Sequence, residues 1–213
     1  MVDIESMDLK IALENLRSQD YFIWNDFLTS DEVAEVEADY QLFYDQGVFQ
    51  RAGTGRQETK IASDRGVRSD ETLWLEAPNL TKAQKLFWQR FDRIKQGINK
   101  TEFLGLWSME GHYSRYPAQG YYQKHLDRFS ANDERTVSVV LYLNANWKKG
   151  DGGELRLHFP KSDPATFDIE PIGGRLVCFL SETTLHEVLP SHVVRKSFAG
   201  WWKRRPVENA SSV

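Results

Sequence analysis

The 213-residue sequence holds a single cysteine, Cys178, so no intrachain disulfide can form. That thiol lies in the apolar run Leu176-Val177-Cys178-Phe179-Leu180, which reads as a buried, inert position. Long apolar runs are missing. No stretch approaches the roughly 20 apolar residues needed to cross a bilayer, so no membrane partner is expected. The segment Met1-Val2-Asp3-Ile4-Glu5 is acidic and lacks the basic start and apolar centre of a secretion signal. A reducing, cytoplasmic setting is therefore the expectation. A basic surplus is absent too: 27 lysines and arginines face 31 aspartates and glutamates, a net charge of −4. Nucleic-acid binders usually show the opposite balance, and no nucleic-acid partner is expected. Internal repeats are lacking.

What is present suits one domain over 1–213, expected as a monomer. Hydrophobic residues make up 40% and aromatics 13%, enough for a sizeable core. Leu9, Ala12, Leu13 and Leu16 recur on one helical face. Tyr21-Phe22-Ile23-Trp24 reads as a short strand. Thr29 and Glu32 form a capping box that opens a helix carrying Val33, Val36, Tyr40 and Phe43, with Gly47 as its stop. Residues 51–70 alternate glycine with arginine and read as a loop, with a lid over a pocket as its functional reading. Its glycines do not make a phosphate-binding loop, since no strand leads in and no Lys-Ser/Thr follows. Trp74 marks a strand. Thr81 and Gln84 make a second capping box before the amphipathic helix of Ala83, Phe87, Phe91, Ile94 and Ile98.

After about residue 101 the period changes to alternation. Strands are expected over 103–116, 136–143, 154–159, 167–169, 175–180 and 192–202, separated by Gly/Pro turns. Helices first and short strands after imply a mainly β fold with α: a double-stranded β-helix, or jelly roll, backed by N-terminal helices. The first hundred residues form the helical support layer and lid segment, 101–204 the catalytic core, and 205–213 a flexible tail. Lys203-Arg204-Arg205 reads as a solvated terminus.

The chemistry centres on His125-Leu126-Asp127. On a strand His125 and Asp127 point to one face. With His186 they supply two imidazoles and one carboxylate, the set that binds one face of an octahedral Fe(II) and leaves positions open. Arg195 follows nine residues later and can grip a carboxylate with two parallel hydrogen bonds. In the last strand Arg195, Ser197, Ala199 and Trp201 share a face that looks like a pocket wall. His112 and His192 have no patterned partner and read as satisfied or exposed histidines. His158 alternates with Arg156 on a solvent or lid face.

The order His-x-Asp, His, Arg resembles the Fe(II)/2-oxoglutarate-dependent dioxygenases. The segment Tyr116 to Asp127 resembles the metal-site segment of prolyl 4-hydroxylases of the oxygen-sensing type and their bacterial relatives. Leu141-Tyr142-Leu143-Asn144 with Trp147, Gly152 to Leu157, His186-Glu187-Val188, Arg195 and Trp201 match their later strands. The likeness covers roughly 68 to 202. It implies Fe(II) held by His125, Asp127 and His186. It implies 2-oxoglutarate bound through its far carboxylate by Arg195 and Tyr142, in a pocket lined by Tyr116, Leu155, Val188 and Ser197. Tyr122, Arg135, Trp201 and Asp70 match positions near the substrate or lid. Strict alternation puts Tyr122 on the face opposite His125, so it needs a bend.

The implied reaction is 4-hydroxylation of a prolyl residue in a protein, with O2 consumed, succinate and CO2 as co-products and ascorbate as a supporting reductant. The implied partner carries the proline in a loop and is a translation component or regulator. Three alternatives stay open: the same oxygenase chemistry on another residue or a small molecule, a non-catalytic jelly-roll binding module, and a zinc hydrolase, since the donor set also suits zinc. The last leaves Arg195 and Tyr142 unexplained.

Overall fold

The computed structural model describes residues 4–53, 66–128, 134–159 and 164–205. Helix α1 (Ile4–Gln19), strand β1 (Tyr21–Trp24), helix α2 (Ser30–Asp45), strands β2 (Gln50–Arg51) and β3 (Glu71–Leu75) and helix α3 (Lys82–Glu102) come first. Eight strands follow: β4 (Leu106–Tyr116), β5 (Tyr122–His125), β6 (Arg135–Tyr142), β7 (Leu155–His158), β8 (Thr166–Ile169), β9 (Leu176–Leu180), β10 (Leu185–Val188) and β11 (Arg195–Arg204). Both expected capping boxes form. Thr29 accepts from the Glu32 amide and Thr81 from the Gln84 amide, each answered by the N3 side chain, worth about 1 kcal/mol apiece.

Two antiparallel sheets face each other, as in a jelly roll. The larger runs β1-β9-β6-β11-β4-β3-β2 and the smaller β5-β10-β7-β8. The N-terminal helices lie on the outer face of the larger sheet, and the first hundred residues also lend strands to both its edges. Alternation along the strands divides the core in two. Val137, Val139, Leu141, Leu176, Cys178, Phe198 and Trp202 face the helices. Tyr142, Val177 and Phe179 face the smaller sheet, with Tyr116, Leu155, Leu157, Ile169 and Val188. Cys178 is buried, as the sequence implies.

Helix α3 docks through Phe87 and Phe91 onto Phe198, with ring centroids 5.3 and 5.5 Å away. Phe198 lies flat over the register pair Gly111–Gly200. A Cβ at Gly111 would sit 2.3 Å from the Phe198 ring, so the sheet must be bare of side chains there.

Some boundaries differ from the sequence reading. One strand of 11 residues, β4, replaces the broader 103–116 span, because Phe103 turns into the left-handed region (φ 54°) to end α3. The last strand begins at Arg195 rather than His192 and runs to Arg204. Lys203 is therefore a strand residue, paired with Glu110 and Glu134, and not part of a solvated terminus. Most of the expected lid segment, 54–65, and most of the tail, 206–213, lie outside the described residues. Among the described residues no helix is long and apolar enough to cross a membrane.

Candidate metal centre and carboxylate pocket

The smaller sheet brings His125 and His186 together. β5 and β10 pair antiparallel with His186 opposite His125, and the ring centroids are 4.3 Å apart. β5 ends at His125, and Asp127 reaches the same point from the bend beyond it. Its Oδ1 lies 3.5 Å from His125 Nε2 and its Oδ2 3.6 Å from His186 Nε2. The three donor atoms fall within 4.8 Å of one another.

The same local device orients both rings. His125 Nδ1 meets the Gln123 carbonyl at 2.7 Å, and His186 Nδ1 meets the Thr184 carbonyl at 3.0 Å. A carbonyl can only accept, so each Nδ1 carries a proton and each Nε2 is the ring atom turned toward Asp127. Burial holds His186 down at about 4, so that ring is neutral at physiological pH. Burial alone would push the Asp127 carboxyl up. His186, His125 and the Ser138 hydroxyl outweigh it and hold the group well below the usual carboxylate range. Two imidazoles with converging Nε2 atoms and one ionised carboxylate are the donor set of a ferrous ion. The residues fit that ion.

Against the tyrosines of the same inter-sheet core lies a buried cation. Arg195 is 1% exposed and has no ion-pair partner among the described residues. Its Nε donates to the Gly153 carbonyl at 2.9 Å and its Nη1 to Ser197 Oγ at 3.3 Å. The rings of Tyr116 and Tyr142 each stand 5.1 Å from the guanidinium carbon. The Tyr142 hydroxyl is buried and has no hydrogen-bond partner. A buried guanidinium without a counter-ion beside a hydroxyl without a hydrogen-bond partner is a costly arrangement unless an anion arrives. A carboxylate entering this corner would satisfy both. Leu155 and Val188 belong to the same buried cluster as the two tyrosines, and Ser197 touches Arg195 directly. Gly153 makes the closeness possible: at φ +67° a Cβ would lie 2.8 Å from Ser191 Cβ and 3.1 Å from Arg195 Cδ.

Tyr122 lies on the same side as His125 after all. His186 to Val188 spans two residues, while their partners His125 and Tyr122 are three apart. One extra residue in β5 makes a bulge and turns Tyr122 over. Its ring stacks on His125 at 3.7 Å and 20°. Arg68 covers the other face of Tyr122 at 4.3 Å, and both Asp70 oxygens hold Arg68, at 2.7 and 2.6 Å. Asp70 is fully buried, so it reaches the site through Arg68. Arg135 and Trp201 form a separate pair: the guanidinium sits 3.6 Å over the indole and also bonds Glu110. His112 is buried against Trp74 and Trp201 and bonds Ser114. His158 pairs with Glu187 at 2.9 Å. His192 is exposed, with Gln119 beside it.

Sequence reasoning missed Arg68, Gly153 and Ser138 as site residues. Arg68 and Asp70, two apart on extended chain, carried a same-face signal that the surrounding Gly/Arg composition masked. The serine in Val-Ser-Val-Val carried none.

Comparison with known proteins follows from this geometry. Residues 111–203 match the family model of the 2OG-Fe(II) oxygenase superfamily. A solved Pseudomonas putida prolyl-4-hydroxylase is 36% identical, with 92% of this chain and 99% of that one aligned at a TM-score of 0.80. A Trichoplax adhaerens prolyl hydroxylase, solved with a hypoxia inducible factor oxygen degradation domain peptide fragment, is 26% identical over 93% of this chain and 90% of that one, also at 0.80. Human Egl nine homolog 1 is 28% identical over 91% of this chain and 47% of its own length. The chain spans about half the length of the curated mammalian relatives it matches.

Proposed function

The chain belongs to the 2OG-Fe(II) oxygenase superfamily, whose members use Fe(II), 2-oxoglutarate and O2, and on that premise we propose that it is a peptidyl-prolyl 4-hydroxylase. One observation carries the reading: a His-Asp-His cluster and the Arg195–Tyr142 corner border the same apolar cluster between the sheets, in which Phe179 packs on His186, Tyr122 on His125 and Tyr142 beside Arg195.

Bound iron with 2-oxoglutarate and O2 would supply the oxidation, one oxygen atom going to succinate as CO2 is lost and the other to the substrate C–H bond. The side chains bind, orient and keep water out. His125, Asp127 and His186 would hold the metal. Arg195 and Tyr142 would take the far carboxylate, with Ser197 bracing Arg195. Tyr116, Leu155 and Val188 supply apolar walls that exclude water and strengthen that ion pair. Burial raises the Tyr142 and Tyr116 hydroxyls above their ordinary range, so both remain protonated. Tyr142 can therefore donate to the carboxylate.

Tyr122 is raised to about 12 by burial, against the opposing pull of Arg68, and stays a neutral donor beside His125. We assign it, with Arg135 and Trp201 at the rim and Asp70 acting through Arg68, to the substrate side. The solved relative carrying a peptide supports a polypeptide substrate. A proline in the loop of a translation component or regulator, a monomeric state, a cytoplasmic setting, and no nucleic-acid or membrane partner complete the proposal.

The test is succinate formation by the anaerobically iron-loaded protein given 2-oxoglutarate and air, followed by mass spectrometry of cell proteins for an oxygen added to proline. Succinate should vanish in His125→Ala. In Arg195→Ala it should weaken mainly through 2-oxoglutarate affinity. Succinate without any hydroxyproline, but with another oxidised residue or small molecule, would move the assignment to that substrate. No succinate in wild type, even with protein extract present, rejects the oxygenase reading for this chain.

A further inference from the structure

Asp127 does not stand alone in its pocket. Its Oδ2 accepts a hydrogen bond of 2.7 Å from the hydroxyl of Ser138 in β6, and Ser138 Oγ lies 2.8 Å from Ser181 Oγ. Ser138 is 1% exposed and Ser181 fully buried. A serine hydroxyl has one proton, and an ionised carboxylate can only accept. Ser138 spends its proton on Asp127, so Ser181 must donate to Ser138. The chain of bonds has one direction: Ser181 to Ser138 to Asp127. The backbone of Ser181 is fixed as well. Its amide donates to the Thr136 carbonyl, and its carbonyl takes the amide of Arg128, the residue after Asp127. Ser181 thus holds Ser138 by its side chain and the Asp127 segment by its main chain.

The neighbours of Ser138 show how unusual its place is. Val137 and Val139, on either side, are wholly buried against the helices, while Ser138 points the other way, to the site. A hydroxyl there is satisfied through Asp127 and Ser181. Resting on the metal-centre reading above, we propose that Ser138, backed by Ser181, is a positioning residue for the metal. It takes Oδ2 and leaves Oδ1, the oxygen facing His125, as the carboxylate's free ligand position.

Co(II) is the probe, because its visible absorption reports the ligand set independently of turnover. Titrations of the intact chain would compare wild type, His125→Ala, Ser138→Ala, Ser138→Thr and Ser181→Ala, with the apo melting temperature measured for each. Ser138→Ala should bind Co(II) roughly 10–100-fold more weakly, the range for lost outer-shell partners, with an altered spectrum. Ser181→Ala should lose less, because Ser138 keeps its bond but not its brace. Ser138→Thr retains the hydroxyl and should restore binding and spectrum.

Wild-type affinity and spectrum in Ser138→Ala would overturn the proposal. Should that variant fail to fold, Ser181→Ala decides: unchanged affinity and spectrum there overturns it equally. The two readings fail differently. If wild type binds no Co(II), or His125→Ala binds as wild type does, the metal centre itself is wrong. If His125→Ala abolishes binding while Ser138→Ala does not touch it, only the positioning role falls.

Discussion

Replacing Arg195 by methionine should leave the ligand-free protein close to wild type in stability while removing its response to 2-oxoglutarate. The guanidinium is 1% exposed, holds two hydrogen bonds to Gly153 and Ser197, and has no ion-pair partner among the described residues. Exchanging buried charged groups for apolar ones of similar volume is often neutral or stabilising by about 1–4 kcal/mol. Against this, the Gly153 carbonyl loses its donor, which costs about 1–3 kcal/mol. The two nearly cancel, and the balance runs from a loss of about 2 to a gain of about 3 kcal/mol. For a chain of this length that is a change in melting temperature between roughly −8 and +12 °C. Saturating 2-oxoglutarate acts on wild type alone. At 100 times its Kd a ligand adds about 2.7 kcal/mol to a protein that binds it, and the variant should gain nothing. Urea titrations and thermal melts of both proteins with Mn(II), with and without 2-oxoglutarate, read that difference directly. A ligand-free variant more than about 2 kcal/mol weaker than wild type would show that the fold, and not the co-substrate, satisfies Arg195. An equal 2-oxoglutarate shift in both proteins would remove Arg195 from the binding site altogether.

Further outcomes are open to test. Tyr142→Phe deletes a buried hydroxyl that has no partner, so ligand-free stability should hold or improve slightly. 2-Oxoglutarate affinity should fall roughly tenfold by calorimetry, the worth of one hydrogen bond to a charged group. Burial holds His112 down at about 4, so between its unfolded value near 6.5 and that pH the unfolded chain binds a proton that the native chain refuses. Its contribution is intact above 6.5 and lost as pH falls toward 4, at about 1.4 kcal/mol per pH unit. His112→Gln should flatten the pH profile of urea stability by one proton, and an unchanged slope would refute the assignment. Phe198→Ala removes the ring that Phe87, Phe91 and Trp88 pack against and should cost about 3–5 kcal/mol by urea denaturation.

What could be read from the chain depended on how local each cause was. The capping boxes at Thr29 and Thr81 were legible because donor and acceptor lie three residues apart. So were the faces of β11, where alternation separates Arg195, Ser197 and Trp201 from Phe198 and Trp202. The His-x-Asp pair does converge, but not by strand alternation, since β5 ends at His125 and Asp127 comes from the bend beyond it; the co-residence of His186 and Arg195 was legible through the family's motifs. Alternation failed at Tyr122, because one inserted residue in β5 inverts every side chain before it and leaves no mark in composition. Arg68 was hidden for a different reason. Its partners are Asp70 beside it and Tyr122 some fifty residues later, and only the folded sheet brings the second into reach. The serine relay joins β6 to the end of β9, and two serines so far apart carry no pattern. The end of β11 was misjudged because Lys203 looked solvated, when cross-strand acids were waiting for it on β4 and before β6.

The pairing of His125 with His186 has one more consequence. These residues sit opposite each other in adjacent strands yet are about sixty positions apart along the chain. A cation gripped by both acts as a clasp on that long loop, as a covalent cross-link would. On the chain-entropy model, closing a loop of this size restricts the unfolded ensemble by about 4 kcal/mol, a sum comparable with the margin that keeps many domains folded. The ligand that equips this fold for oxidation would then also fasten it shut. Iron starvation would loosen the very strands that recognise iron, and refilling would restore shape and reactivity in a single event.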